Sequence, residues 1–379
     1  MRVTSPERRL ALLLCGTRRA RDDRGAQIVE LLRRVDGSRV TALLDELRLA
    51  SLLGQRLLAL GVPIDPWLQG EITRRVERAR EDGTAHELIS LAVLASLEQA
   101  GIRALGLKGS ILARQLYDDP GARTVGDIDI LVAAADLDHA VETVTRMGWR
   151  HERQRSRAAR LPILHETLSR HGLPQVELHW RVHWYEARFA ADALDRAQRP
   201  APHQPLAMTP ADGLAALMLF YARDGFYGLR LAADAAAWWE HRCGEVDPNP
   251  QVAGITAAYP ALAAPLEVAA TLLRGLIGLP FDAAPPAGRR RLVSELATPF
   301  PDLDPAQVLA NASLADLLLA PSGQRGEAVG RELQKIPEDL ERPLRPQDGV
   351  SAYLERSEHG LRVLRRWAIA LFPALVRLR

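Results

Sequence analysis

The sequence predicts an α+β fold in which a small mixed α/β sheet is flanked by helical segments on its N-terminal and C-terminal sides. Three observations carry this reading. Ala26–Val35, Val40–Leu60 and Ile72–Glu98 place apolar side chains three and four apart, the period of an amphipathic helix. Between Gly101 and Val182 that period gives way to short apolar runs bounded by Gly, Pro and Asp clusters. From Thr209 the helical period returns and continues to about Leu319.

The elements follow in order. Pro63 and Pro66 break the first helical stretch, and Ile72–Glu98 resumes it with a charged first half and an apolar second half. Ile102–Leu107 is a strand after Gly101, and Gly109-Ser110 opens a helix to about Tyr117. Asp118-Asp119-Pro120-Gly121 makes a turn, and Ile128–Val132 is the next strand. Asp136 is placed to cap a helix running to about Met147, with Trp149–Arg153 as a further strand. Pro162–Ser169 and Gln175–Val182 form a hairpin around Gly172 and Pro174. Pro210 suits the first turn of a helix after Thr209. Ala211–Arg223 and Leu229–Arg242 are paired helices around Gly225–Gly228, and Pro248–Pro250 reads as a linker. Strand alternating with helix, then strand with strand, indicates a mixed sheet. The expected organisation is a helical subdomain at 1–98, an α/β core at 99–205, a helical domain at 206–320, and a loop with a basic amphipathic helix at 321–379.

Composition narrows the class. The 379 residues are 47% hydrophobic and 25% charged, the profile of a soluble globular protein. The formal net charge of +2 supplies no global basic field, so a large polyanionic partner is not favoured. Cys15 and Cys243 fit no zinc or redox spacing and read as buried thiols of a cytoplasmic protein. Neither a targeting segment nor a membrane span is expected. Of 49 basic residues only Lys108 and Lys335 are lysines, which draws attention to Lys108 because a compact ammonium differs from a guanidinium fork.

The chemistry-bearing block is Gly109-Ser110 with Asp127-Ile128-Asp129. Side chains alternate along a strand, so Asp127 and Asp129 share one face. Two carboxylates so crowded call for a cation, and magnesium takes oxygen ligands together with substrate phosphates. A Gly-Ser helix start supplies backbone amides to an anion. A third carboxylate, Glu177, lies on a later strand, with His179 on its face and Val176, Leu178 and Trp180 on the other. Three carboxylates suit a pair of ions about 3.5–4 Å apart. The competing reading, a zinc site from Glu177, His179 and His183, meets an i, i+4 spacing on a segment that reads as strand.

This ordered set resembles the nucleotidyltransferase superfamily built on the DNA polymerase β-type palm. More narrowly, Leu107–Ser110, Tyr117–Pro120, Arg123 with Asp127–Val132, and Val176–Trp180 resemble the uncharacterised nucleotidyltransferase family of bacterial biosynthetic clusters. The resemblance implies a palm-like sheet. It also implies that Asp127 and Asp129 hold two Mg2+ (or Mn2+) ions, and that Glu177 binds the catalytic ion and helps deprotonate an acceptor hydroxyl. Lys108, Gly109, Ser110 and Arg123 would then bind the triphosphate, and His179, Arg230 and Asp234 would support the site or meet the acceptor. The implied partners are a nucleoside triphosphate such as ATP and a small-molecule or peptide acceptor. Three departures stand out: Lys108 precedes Gly109-Ser110 where the superfamily often has Gly, the gap of 17 positions from Ser110 to Asp127 is longer than in most relatives, and the third carboxylate is Glu rather than Asp. The alternatives are a toxin- or defence-type enzyme that nucleotidylates RNA or protein, and a degenerate fold used as a binding module.

Overall fold

The computed structural model describes residues 5–151, 164–282, 286–297, 299–300 and 305–328. Its sheet has five strands: β1 (Ala104–Gly106), β2 (Asp127–Val132), β3 (Arg150–His151), β4 (His165–Ser169) and β5 (Gln175–His179). They lie in the order β1-β2-β5-β4-β3. β2 and β5 run parallel, and the other neighbours are antiparallel. The expected mixed sheet and its hairpin are both present.

One face of this sheet is apolar. Ile128, Ile130, Val132, Val176 and Leu178 point to it and pack with Val93, Leu94 and Leu97 of a 34-residue helix, Pro66–Gln99, and with Ala140 and Val144 of helix Leu137–Arg146. Burying both central strands from this side fixes their register, because a one-residue slip would turn Asp127 and Asp129 into the core. The opposite face carries the carboxylates. It looks toward helices Pro210–Arg223 and Arg230–His241, whose side chains share one core with Leu131 and with the N-terminal helices Pro6–Cys15, Gly37–Glu46 and Ala50–Leu58.

The turn that feeds β2 is fastened to the long helix. A Cβ at Gly83 would lie 2.3 Å from the carbonyl oxygen of Pro120, and one at Gly121 would lie 2.5 Å from the Arg80 backbone. Two glycines therefore permit a backbone contact that no side chain would. Asp119 secures it by accepting from Arg80 Nε at 2.8 Å and from Gln55 at 3.0 Å.

Several expectations are corrected. Val40–Leu60 is two helices, not one, because Arg48 takes a left-handed φ of 56° between them. Pro248–Pro250 is no linker: Asp247 caps a helix with Pro248 in its first turn, Pro248–Ala258. Asp136 makes no side-chain capping bond and belongs to a 3-10 turn, Ala134–Asp136. Pro260–Ile277 has a membrane-like mean hydropathy of 1.4, yet Leu266, Val268, Ala269 and Leu273 are buried in the protein core. The basic stretch Leu361–Arg379 and most of the expected loop before it lie outside the described residues.

Candidate active site

β1 leads through Leu107 and Lys108 into helix Gly109–Tyr117. The Leu107 amide donates to the Asp129 carbonyl at 2.9 Å, which sets this helix start beside β2. Gly109 has φ +71°, and a Cβ there would sit 3.4 Å from the Asp127 carbonyl oxygen. No side chain caps this helix, so the amides of its first turn are available to an anion. Gly109→Ala is expected to cost about 1 kcal/mol through the left-handed backbone. It should also weaken triphosphate binding; a chemical denaturation curve and a nucleotide titration check both.

Asp127, Asp129 and Glu177 bring carboxylate oxygens within 4.8 Å of one another. Asp129 and Glu177 are direct neighbours across the parallel β2–β5 pair. The three groups do not share one environment. Asp129 is 3% exposed, and its Oδ1 meets Lys108 Nζ at 3.1 Å and His179 Nε2 at 3.0 Å. Burial alone would push its carboxyl up, but Lys108 and His179 outweigh it and hold the group well below the usual range. Asp127 is pushed up, first by burial and then by the Asp129 charge. Glu177 is also opposed by burial, yet its bond from His179 at 3.2 Å holds it below its ordinary value. Nε2 of His179 faces two carboxylate acceptors and therefore carries the ring proton.

An all-oxygen set with one unneutralised member fits a hard divalent cation. A second grouping, His165, Glu177 and His179, also converges within 4.8 Å. The histidine that joins Glu177 and His179 is thus His165 and not His183. Its Nε2 lies 3.7 Å from Glu177 Oε1.

Lys108 points into the site. Its ammonium touches Asp129 and stands 4.7 Å from the centre of the Phe220 ring, a cation–π contact. Ser110 is placed differently from the expectation of an open hydroxyl. It is 2% exposed and lies 3.2 Å from Ser90 Oγ. Ser90 gives its own hydrogen to the His86 carbonyl at 2.8 Å, so Ser110 is the donor between them. Its hydroxyl must release Ser90 before it can donate to a phosphate, whereas its backbone amide is already at the helix start.

Arg123 is no surface arginine: it is 5% exposed and its Nε meets Asp234 at 2.8 Å. Asp234 also accepts from the Tyr117 hydroxyl at 3.0 Å, so it does not pair with Arg230 one turn earlier on its helix. The two helix positions share a face, but Asp234 turns inward to the buried guanidinium. Arg230 is half-buried, and burial first, then the Arg123 and Arg48 charges, outweigh Asp234 and Asp224 and lower its pKa. Trp184 is partly buried, and Tyr185 is buried with its hydroxyl on Asp316, inside the fold rather than at a ligand.

Three contributors lie outside the residues that sequence reasoning assigns to the site. His165 is paired with His179 across β4–β5, a register that the Gly172–Pro174 turn encodes once both strands are counted back from it. Phe220 and Arg48 carried no local signal. Arg48 comes to the site because its guanidinium lies 3.5 Å from where a Gly126 Cβ would be, one residue before Asp127.

Clustered carboxylates on two parallel strands, facing an uncapped glycine-led helix start, define a nucleotidyl-transferring enzyme. The chain belongs to a family described as uncharacterised nucleotidyltransferase, whose model matches residues 33–278. All the residues of the site fall inside that stretch. No curated protein and no solved structure matches the chain.

Proposed function

We propose that this nucleotidyltransferase moves a nucleoside monophosphate from a triphosphate to a hydroxyl of a small molecule or peptide, in a biosynthetic setting. The observation that carries the reading is the convergence of Asp127, Asp129 and Glu177 beside the amides of Gly109 and Ser110. In the reaction the acceptor oxygen bonds to the α-phosphorus, the bond from that phosphorus to the bridging oxygen breaks, and pyrophosphate leaves with the electron pair. Two Mg2+ (or Mn2+) ions on the three carboxylates would supply charge neutralisation on both sides of this displacement.

The chain's own residues do the rest. The first-turn amides, Lys108, and the Arg48–Arg230 pair place positive charge around the triphosphate, where a multiply charged anion relieves the crowding of like charges. Glu177 takes the acceptor proton in our reading, with His179 holding one of its oxygens at 3.2 Å and His165 standing 3.7 Å from the other. Arg123 acts from behind, holding the approach to β2 against Asp234. Catalysis on this plan is positioning and electrostatics. The near-neutral net charge favours a small or peptide acceptor over a nucleic acid.

The test is incubation of the chain with each α-labelled triphosphate, Mg2+ or Mn2+, and candidate acceptors. Labelled product and pyrophosphate are expected with the native chain, and a loss of roughly 1000-fold or more in Asp127→Ala/Asp129→Ala. Equal pyrophosphate release by the double variant would overturn the proposal.

A further inference from the structure

A second cavity lies away from the carboxylates. It has a volume of about 820 Å3 and runs beside helix Gly109–Tyr117, against the helices at 50–58 and 230–241. Neither Lys108 nor Asp127, Asp129 or Glu177 lines it. Its wall is unusual in charge. Arg18, Arg21, Arg56 and Arg242 all face it, together with an apolar strip that includes Leu52, Leu91 and Ile111.

These guanidiniums are only partly offset by the protein's own carboxylates, of which Glu240 and Asp22 act on Arg21. Arg21 donates to the Gly16 carbonyl and Arg56 to the Leu14 carbonyl, and among the described residues no carboxylate takes a hydrogen bond from either guanidinium. Nε of Arg242 is buried without a hydrogen-bond partner. The nearby carboxylate, Glu240, already accepts the backbone amide of Arg18. Other acids on the wall are engaged elsewhere: Glu87 holds Arg114 through two bonds of 2.9 Å, and Asp118 faces the same arginine at 3.6 Å. Burial and the neighbouring Arg56 push Arg21 down to about 10, outweighing the opposing charges of Glu240 and Asp22. Arg21, Arg56 and Arg242 are half-buried and Arg18 is exposed, and the excess of guanidinium over carboxylate on this wall favours an anion from outside.

We propose that this cavity is a second ligand site, taking a phosphate monoester carried on a small apolar body. Several guanidiniums favour a dianion over a monocarboxylate, and their planar forks match phosphate oxygens. The cavity volume suits a small organic molecule. Tyr117 lines the cavity, and its hydroxyl donates to Asp234, which holds Arg123 behind β2. A bound phosphate therefore sits one side chain from the bonds that brace the carboxylate strand. The proposal does not depend on nucleotidyl transfer.

The experiment is a calorimetric titration of the full chain with phenyl phosphate in metal-free buffer, with inorganic phosphate and benzoate as comparisons. Saturable binding is expected for phenyl phosphate, tighter than for either comparison. Arg56→Gln should weaken it at least tenfold. Should that variant not fold, Ala59→Trp, at an exposed position on the cavity wall, closes the space and should have the same effect. Asp127→Asn should leave the affinity unchanged. The proposal is overturned if the native chain shows no saturable binding, or if Ala59→Trp binds within twofold of it. It is also overturned if benzoate binds as tightly, or if Asp127→Asn tightens the binding, which would put the anion beside the carboxylates at the triphosphate site.

Discussion

Asp127→Asn and Asp129→Asn are expected to abolish turnover alike and to shift the stability of the metal-free protein in opposite directions. Both remove a carboxylate from the proposed ion site, so each should lower turnover by roughly 1000-fold or more. Their surroundings differ. Asp129 is buried between Lys108 and His179, and neutralising it strands a mostly buried ammonium. The expected loss is about 3 kcal/mol. Asp127 is ionised against burial and against the Asp129 charge, so the amide removes a repulsion. A gain in stability is therefore expected. The pH dependence follows the same signs. Asp129, lowered in the folded state, contributes stability in full above its unfolded value near ~4, and this is lost as pH falls through the lowered value. Asp127, raised in the folded state, costs stability above its folded value, and that cost vanishes below ~4. Urea unfolding at pH 7 in the presence of a chelator checks the contrast. Equal destabilisation by both variants would contradict it.

Asp234→Ala is expected to destabilise the protein by about 3–5 kcal/mol, because it leaves Arg123 buried without its counter-charge. Asp234 is 1% exposed and gives both oxygens to protein donors, Arg123 and Tyr117. The pair acts by bracing the turn into β2, so activity should fall along with folding. The decisive variant is the triple Tyr117→Phe/Arg123→Met/Asp234→Leu, which removes every partner at once. An apolar replacement of a buried ion pair is often neutral, so this variant should recover most of the lost stability. Thermal unfolding of the single and triple variants gives the answer. A single variant with native stability and weakened nucleotide affinity would make Asp234 a ligand contact instead.

The parts of this molecule that were legible in the sequence are those written locally. The stretch from Gly101 to Val132 announces strand, glycine-led helix, turn and strand through short-range period and punctuation, and the structure places each where it was expected. The alternation that put Asp127 and Asp129 on one face holds because Ile128 and Ile130 are both buried on the other. What escaped was set by distant pairing. Arg123 and Asp234 are 111 positions apart, and nothing near either marks them as partners. Ser110 looked like a phosphate ligand by its motif, while the residue that claims its hydroxyl, Ser90, lies on the far side of a strand in the chain. Pro248 by itself reads as punctuation, whereas the same residue is compatible with a helix start when an aspartate precedes it.

The account rests on the carboxylates as an ion site, and Mn2+ binding followed by electron paramagnetic resonance tests that most directly. Saturable binding is expected in the native chain, tightening when a non-hydrolysable nucleoside triphosphate is added. It should weaken at least about 100-fold in Asp127→Asn/Asp129→Asn, where two charged oxygen donors are gone, and persist in His165→Ala. Undiminished binding in the double variant, with loss only in His165→Ala, would contradict the account and move the ion to His165, Glu177 and His179.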